Sequence, residues 1–153
     1  MIINRDQIRI FRNLRNGIWE ESFNSFQGEI ADFLIERIKL ELEDYKLEFK
    51  EGISSNQKIG RLISAISNEG GGSIFLGLSD DGTIVGFDKD FRKTSQVFFN
   101  IANSACIPSP RINSLLLTSS NNETKILAIV IPGTFEKLIS YNDKYYKDME
   151  KEQ

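Results

Sequence analysis

Glu43, Glu48 and Lys50 in the string ELEDYKLEFK, together with Asp80 in the later string GLSDDG, combine three carboxylates with one ammonium, a set suited to holding a cation against a phosphate. Period-two alternation over Tyr45 to Lys50 predicts a half-buried strand, with Tyr45, Leu47 and Phe49 on one face and Lys46, Glu48 and Lys50 on the other. Glu43 falls five residues before Glu48, at the approach to that strand, and Asp80 ends a neighbouring apolar strand. Three carboxylates drawn from adjacent elements repel one another unless a cation sits between them, and an all-oxygen set suits a hard cation such as Mg²⁺ or Mn²⁺. Such a cation polarises a phosphoryl oxygen and makes a nucleophile of bound water, while Lys50 would neutralise charge developing on a phosphate. The chemistry fits phosphodiester hydrolysis. A bland reading uses the same residues: a solvated glutamate on a strand face, and an Asp-Asp-Gly sequence chosen because hairpin turns favour it.

Composition narrows the alternatives. The 153 residues contain no histidine, which removes Ser-His-Asp and Cys-His nucleophile systems, histidine-based RNA hydrolysis and His-ligated zinc. One cysteine, Cys106, permits neither an intramolecular disulfide nor a cysteine-rich zinc cage, and reads as a small core residue. The net charge of −3 counts against a general nucleic-acid binder, because phosphate contacts come from Lys and Arg in number. No apolar run approaches the length of a membrane span, and the N-terminus lacks the apolar core of a signal peptide, so the expected compartment is the cytoplasm.

The elements that must position these residues are legible in the pattern. A helix is expected over Arg5–Asn16, with Ile8, Phe11 and Leu14 inward and Arg5, Arg9, Arg12 and Arg15 on another stripe, stopped by Gly17. That stripe could follow a phosphate backbone or simply pair with nearby glutamates. After an aromatic link holding Trp19, Phe23 and Phe26, a second amphipathic helix is expected over Glu29–Glu41. The strand Tyr45–Lys50 follows, then a helix Gln57–Ser67 capped by Ser55 or Asn56, then a strand Ser73–Leu78 entered through Gly70, Gly71 and Gly72. Strand, helix and strand make a right-handed crossover, so the two strands should be parallel. NEGGGS lacks the Lys-Ser/Thr ending of a phosphate-binding loop and follows a helix rather than a strand, so its expected role is a tight turn.

Asp81-Gly82 predicts a hairpin that returns TIVGF as an antiparallel strand. A helix Asp90–Ala105, with Phe91, Val97, Phe98, Ile101 and Ala102 inward, strands Arg111–Thr118 and Lys125–Ile131, and a final hairpin of Leu138–Tyr141 and Lys144–Tyr146 complete the reading. The sum is an α+β domain with a mixed, mainly antiparallel sheet and helices packed mainly on one side of it. Residues 1–28 read as an N-terminal helical extension and 29–153 as the domain proper, within one compact whole.

The string Glu43-x-x-x-x-Glu48-Phe49-Lys50, the run Ile63–Asn68 with Gly70-Gly71, and Ile74–Gly82 followed by Ile84-Val85-Gly86 resemble the Schlafen core domain, also called AlbA_2. Leu127–Pro132 and Lys144-Tyr145-Tyr146 fit its closing strands, so the resemblance covers roughly residues 40 to 146. It implies a divalent-metal-dependent endoribonuclease acting on structured RNA such as tRNA, with Glu43 and Glu48 as the two glutamates and Asp80 as the aspartate. Ser79 stands where the family often has a first aspartate, which makes Asp81 the fallback ligand. Bacterial members of the wider family are described as DNA-binding or ATP-binding proteins, so the alternative is a catalytically silent module that binds nucleic acid or a partner protein.

Nuclease chains of that family often carry two such lobes as a clamp, and this chain has one. A homodimer is the expected remedy, its groove lined by Arg5, Arg9, Arg12, Lys50, Lys58, Arg61, Arg92 and Lys93. A dimeric sedimentation boundary at micromolar protein without RNA is the expected result, and a strictly monomeric one contradicts it. A role in antiviral defence or as a toxin would suit a small ribonuclease.

Overall fold

A computed structural model describes residues 4–41, 47–52, 55–134 and 137–147. It is built around two unbroken apolar strands that sit side by side although they are far apart in the chain. Strand β3 (Gly71–Leu76) pairs antiparallel with β6 (Lys125–Pro132), with Ile74 opposite Ile129 and Phe75 opposite Ala128. Neither strand alternates: GGSIFL is buried throughout, and KILAIVIP is buried at six consecutive positions. Such runs need cover on both faces of a sheet. β2 (Leu47–Lys50) adds parallel to β3 at one edge, while β5 (Asn113–Thr118) and β1 (Phe26–Gln27) extend the other, giving the order β1-β5-β6-β3-β2. The sheet is mixed, and its longest ladders are antiparallel.

Helices cover both faces, a difference from the expected one-sided arrangement. Ile74 and Leu76 of β3 join Ile59, Leu62, Ile63 and Ile66 of α3 (Asn56–Asn68) and Phe98, Ile101 and Ala102 of α4 (Phe91–Ala105) in one core. Phe75, one residue out of phase, joins Ile10, Phe11 and Leu14 of α1 (Arg5–Arg15) and Leu34, Ile35 and Ile38 of α2 (Glu29–Leu40) in the other. The period-two geometry of β3 divides its own side chains between the two cores. The first helix is thus packed into the domain, and β1 from the same region hydrogen-bonds β5.

Local signals explain the helix ends. Asn4, Ser55 and Asp90 each accept backbone N–H groups of the first turn of α1, α3 and α4. Phe91, expected inward, is 36% exposed because it opens the first turn of α4, before the buried stripe begins. The expected TIVGF strand is reduced to a single bridge between Leu78 and Ile84. Both edges of β3 are already taken by β2 and β6, so the returning chain can pair only beyond the strand's end. There Val85 and Gly86 both donate to the Gly77 carbonyl, and Phe87 donates to Lys125.

Glycines after α1 and after α3 allow backbone to meet backbone. Gly17 (φ 71°) and Gly71 (φ 94°) bring the loop after α1 onto the β3/β6 end of the sheet: a Cβ at Gly17 would lie 2.0 Å from the Ile131 carbonyl oxygen, and one at Gly71 2.7 Å from that of Asn16. Ser73 fastens the same junction by donating its hydroxyl to the Leu14 carbonyl at 2.5 Å.

A smaller sheet, β4-β7-β8 (Cys106–Ile107, Ser140–Tyr141, Lys144–Tyr145), closes over α3. Asn68 holds it in place, donating to the carbonyls of Ile139 and Tyr146 at 3.0 Å each and accepting from the Ile139 N–H at 2.8 Å.

Candidate carboxylate site and nucleic-acid surfaces

Phe49 anchors β2: its ring is buried and packs 6.2 Å from that of Phe75, on the α1/α2 side of the sheet. Alternation then turns Glu48 and Lys50 to the opposite face, in register with Ile74 and Leu76. β2 is the edge strand, so these two side chains are only partly covered, at 14% and 21% exposure, and they form an ion pair of 3.0 Å. The carbonyl of Lys50 accepts from the N–H groups of both Gly77 and Leu78, which ties the end of β2 to the start of the acidic turn.

Within that turn the two aspartates have different tasks. Asp81 accepts from the Ser79 hydroxyl at 2.5 Å and from the Thr83 N–H at 2.9 Å. These bonds, that of Ser79 foremost, hold its carboxyl at about 2, well below the usual range. Asp80 is exposed, and among the described residues no hydrogen bond or ion pair engages its carboxylate. The turn abuts the end of α2: a Cβ at Gly82 would stand 3.2 Å from the Lys39 carbonyl oxygen. The chain that leaves α2 there runs on to Glu43, which lies outside the described residues. Among the described residues no three acidic, His or Cys side chains gather into a metal-binding group. The donors proposed from sequence are all carboxylate oxygens, the chemistry a hard divalent cation takes.

The cationic residues divide between the two faces of the sheet. Arg5, Arg9 and Arg12 lie on α1, where Arg9 is occupied by Asp6 at 2.7 Å and Glu20 at 3.3 Å. Arg12 lines a groove of about 660 Å³ between α1 and α2 with Arg15, Phe33, Arg37 and Leu40, where Arg37 pairs with Glu41 and lies over the Phe11 ring. Lys58 and Arg61 on α3, and Arg92 and Lys93 on α4, belong to the other face. Arg61 lies 5.7 Å above the ring of Tyr146, and Arg92 rests on Phe91. No single groove within one chain holds all seven.

Sequence reading missed Lys144, Tyr145 and Lys147, which the C-terminal hairpin exposes beside Arg61's partner Tyr146. The signal was the interleaving of lysine and tyrosine in Lys144–Lys147. Cys106 is buried in the core, and burial pushes its thiol up to about 11, so it stays protonated and unreactive.

A mixed five-stranded sheet between two helical layers, closed by a small C-terminal sheet and carrying the edge strand Leu47–Lys50 beside an acidic turn, defines an α+β domain of one class. The chain belongs to the Schlafen AlbA_2 family, whose model matches residues 43–153. That is a nucleic-acid-related family. Among solved structures it is similar to the DIP2311 protein from Corynebacterium diphtheriae, at 18% identity and a TM-score of 0.46 over 71% of this chain. This chain spans 26% of that protein's length. No curated protein matches. None of the described helices is long and apolar enough to cross a membrane.

Proposed function

We propose that this domain is a divalent-metal-dependent endoribonuclease that cuts structured RNA such as tRNA. The observation that carries the reading is the partly buried Glu48–Lys50 pair on β2, tied through the Lys50 carbonyl to the turn that presents Asp80. Glu43, Glu48 and Asp80 would hold Mg²⁺ or Mn²⁺. The bound cation supplies Lewis-acid polarisation of a phosphate and a water acidic enough to serve as nucleophile near neutral pH. Lys50 orients the Glu48 carboxylate through their 3.0 Å ion pair, and its ammonium would offset negative charge developing on a phosphate oxygen. Asp81 shapes the turn, which leaves Asp80 as the ligand.

The two aspartates separate this reading from a silent module. Asp80→Asn should remove cleavage of tRNA while leaving thermal stability unchanged. Asp81→Asn should retain cleavage with a loosened turn. Because the Asp81 pKa is depressed, its contribution to stability is present above the ordinary carboxylate range near 3.8 and is lost as pH falls toward about 2. The substitution should therefore flatten acid unfolding in that window. Loss of cleavage in Asp81→Asn with full activity in Asp80→Asn would overturn the assignment.

A further inference from the structure

The three-stranded sheet β4-β7-β8 has an inner and an outer face. Cys106 and Tyr141 point inward, into the core and against α3, where a Cβ at Gly60 would meet the Tyr141 ring at 2.1 Å. The next row, Ile107 opposite Ser140 and Ser140 opposite Tyr145, therefore points outward. Ile107 is 62% exposed and Tyr145 61%, and Leu138, two residues before Ser140, is exposed at 43%. Ser140, between Ile107 and Tyr145 in that row, is itself buried and donates its hydroxyl to the Ile107 carbonyl at 3.2 Å, so the exposed surface there is made by Ile107, Tyr145 and Leu138.

The frame under this row is rigid. The hairpin turn places Asn142 and Asp143 at positive φ, and Ser64 and Asn68 of α3 hydrogen-bond the Ile139 carbonyl at 2.7 and 3.0 Å. The rim is basic: Lys137, Lys144 and Lys147 are exposed, and none forms an ion pair among the described residues. Arg61 adds a fourth cation through its contact with Tyr146, and its Nε, though buried, has no hydrogen-bond partner among the described residues.

We infer that this outer row is a stacking platform for an unpaired nucleotide of RNA, with Tyr145 against the base and Lys147, two residues further along the chain, on a flanking phosphate. The lysines decide between occupants. The cores of protein interfaces are depleted in lysine, whereas an exposed aromatic ringed by lysine is how single strands are held, by stacking on the base and charge on the backbone. The platform deepens the ribonuclease reading, since it would hold a loop or end of the substrate away from the carboxylates, and it rests on that reading only for the substrate's identity.

The test uses the full chain and an end-labelled oligouridylate in EDTA, so that binding is read without cleavage. Tyr145→Ala should weaken binding about tenfold and Tyr145→Phe should bind like wild type, because the ring and not the hydroxyl does the stacking. Tyr145→Trp should show tryptophan quenching on titration with the oligonucleotide, a signature that a structural role would not produce. Replacement of Lys147 by alanine should lower the salt dependence of binding by about 0.7 in log–log slope. Unchanged affinity in Tyr145→Ala together with an unquenched Tyr145→Trp overturns the platform, even if wild type cuts tRNA. Loss of self-association in Tyr145→Ala, with oligonucleotide binding unchanged, also overturns it and assigns the row to a second copy. Tyr145-dependent binding without any tRNA cleavage keeps the platform and removes the ribonuclease reading.

Discussion

Replacing Gly17 with alanine lowers the stability of the domain by about 3 kcal/mol, a fall in melting temperature of roughly 10 °C. Two causes add. The backbone at Gly17 has φ 71°, which costs an alanine about 1 kcal/mol, and the added methyl would lie 2.0 Å from the Ile131 carbonyl oxygen and 2.6 Å from the Gly72 nitrogen. Both neighbours are backbone atoms of the two central strands, so neither can swing aside as a side chain would. Gly28 supplies the control: its φ is 87°, yet nothing stands within 4 Å of the position of a Cβ. Gly28→Ala should therefore cost only the conformational part, about 1 kcal/mol. Thermal unfolding of both variants reads the difference. Equal costs would mean that the loop after α1 does not seat against the sheet as described.

Glu48→Gln should lower tRNA cleavage by at least about 100-fold while leaving the fold intact. The substitution keeps the side chain's volume and an oxygen that can accept from Lys50, so β2 and its packing through Phe49 are unaffected. It removes the charge that would bind the cation, and loss of an outer-shell partner alone costs up to about 100-fold in metal affinity or activity, so a direct ligand should cost no less. Cleavage rates measured beside melting temperatures distinguish a chemical defect from an unfolded protein. Full activity in a folded Glu48→Gln variant would take this glutamate out of the site.

The sequence pattern made the β2-α3-β3 crossover legible for a physical reason. Each element has a strong local signal: alternation in β2, a Ser55 cap and a 3.6-residue apolar stripe in α3, glycines at the exit. Less visible were features set by the tertiary partner. Phe26–Gln27 is too short to show a period and becomes a strand only because β5 offers an edge. TIVGF carries the composition of a strand but finds both edges of β3 occupied. The unbroken apolar runs of β3 and β6 did hold the clue to two covered faces, since a sheet with one solvated face would have alternated.

In the candidate site, Glu48 and Lys50 were placed together by strand periodicity alone. Asp80 and Asp81 were indistinguishable as letters, because what separates them is the hydrogen bonding of Ser79 and Thr83 to one carboxylate. The cations on α1 and those on α3 and α4 looked alike in sequence for a related reason: which face of the sheet a helix covers is not a local property. Glu43 lies outside the described residues.

The most direct measurement of the central claim is cleavage of purified tRNA by the wild-type chain with Mg²⁺ or Mn²⁺, with EDTA, and with metal restored after EDTA. Discrete fragments that disappear with the chelator and return with the metal are the predicted result. Intact tRNA under all three conditions, from a folded protein that still binds the RNA, would contradict the ribonuclease reading and leave a binding module in its place.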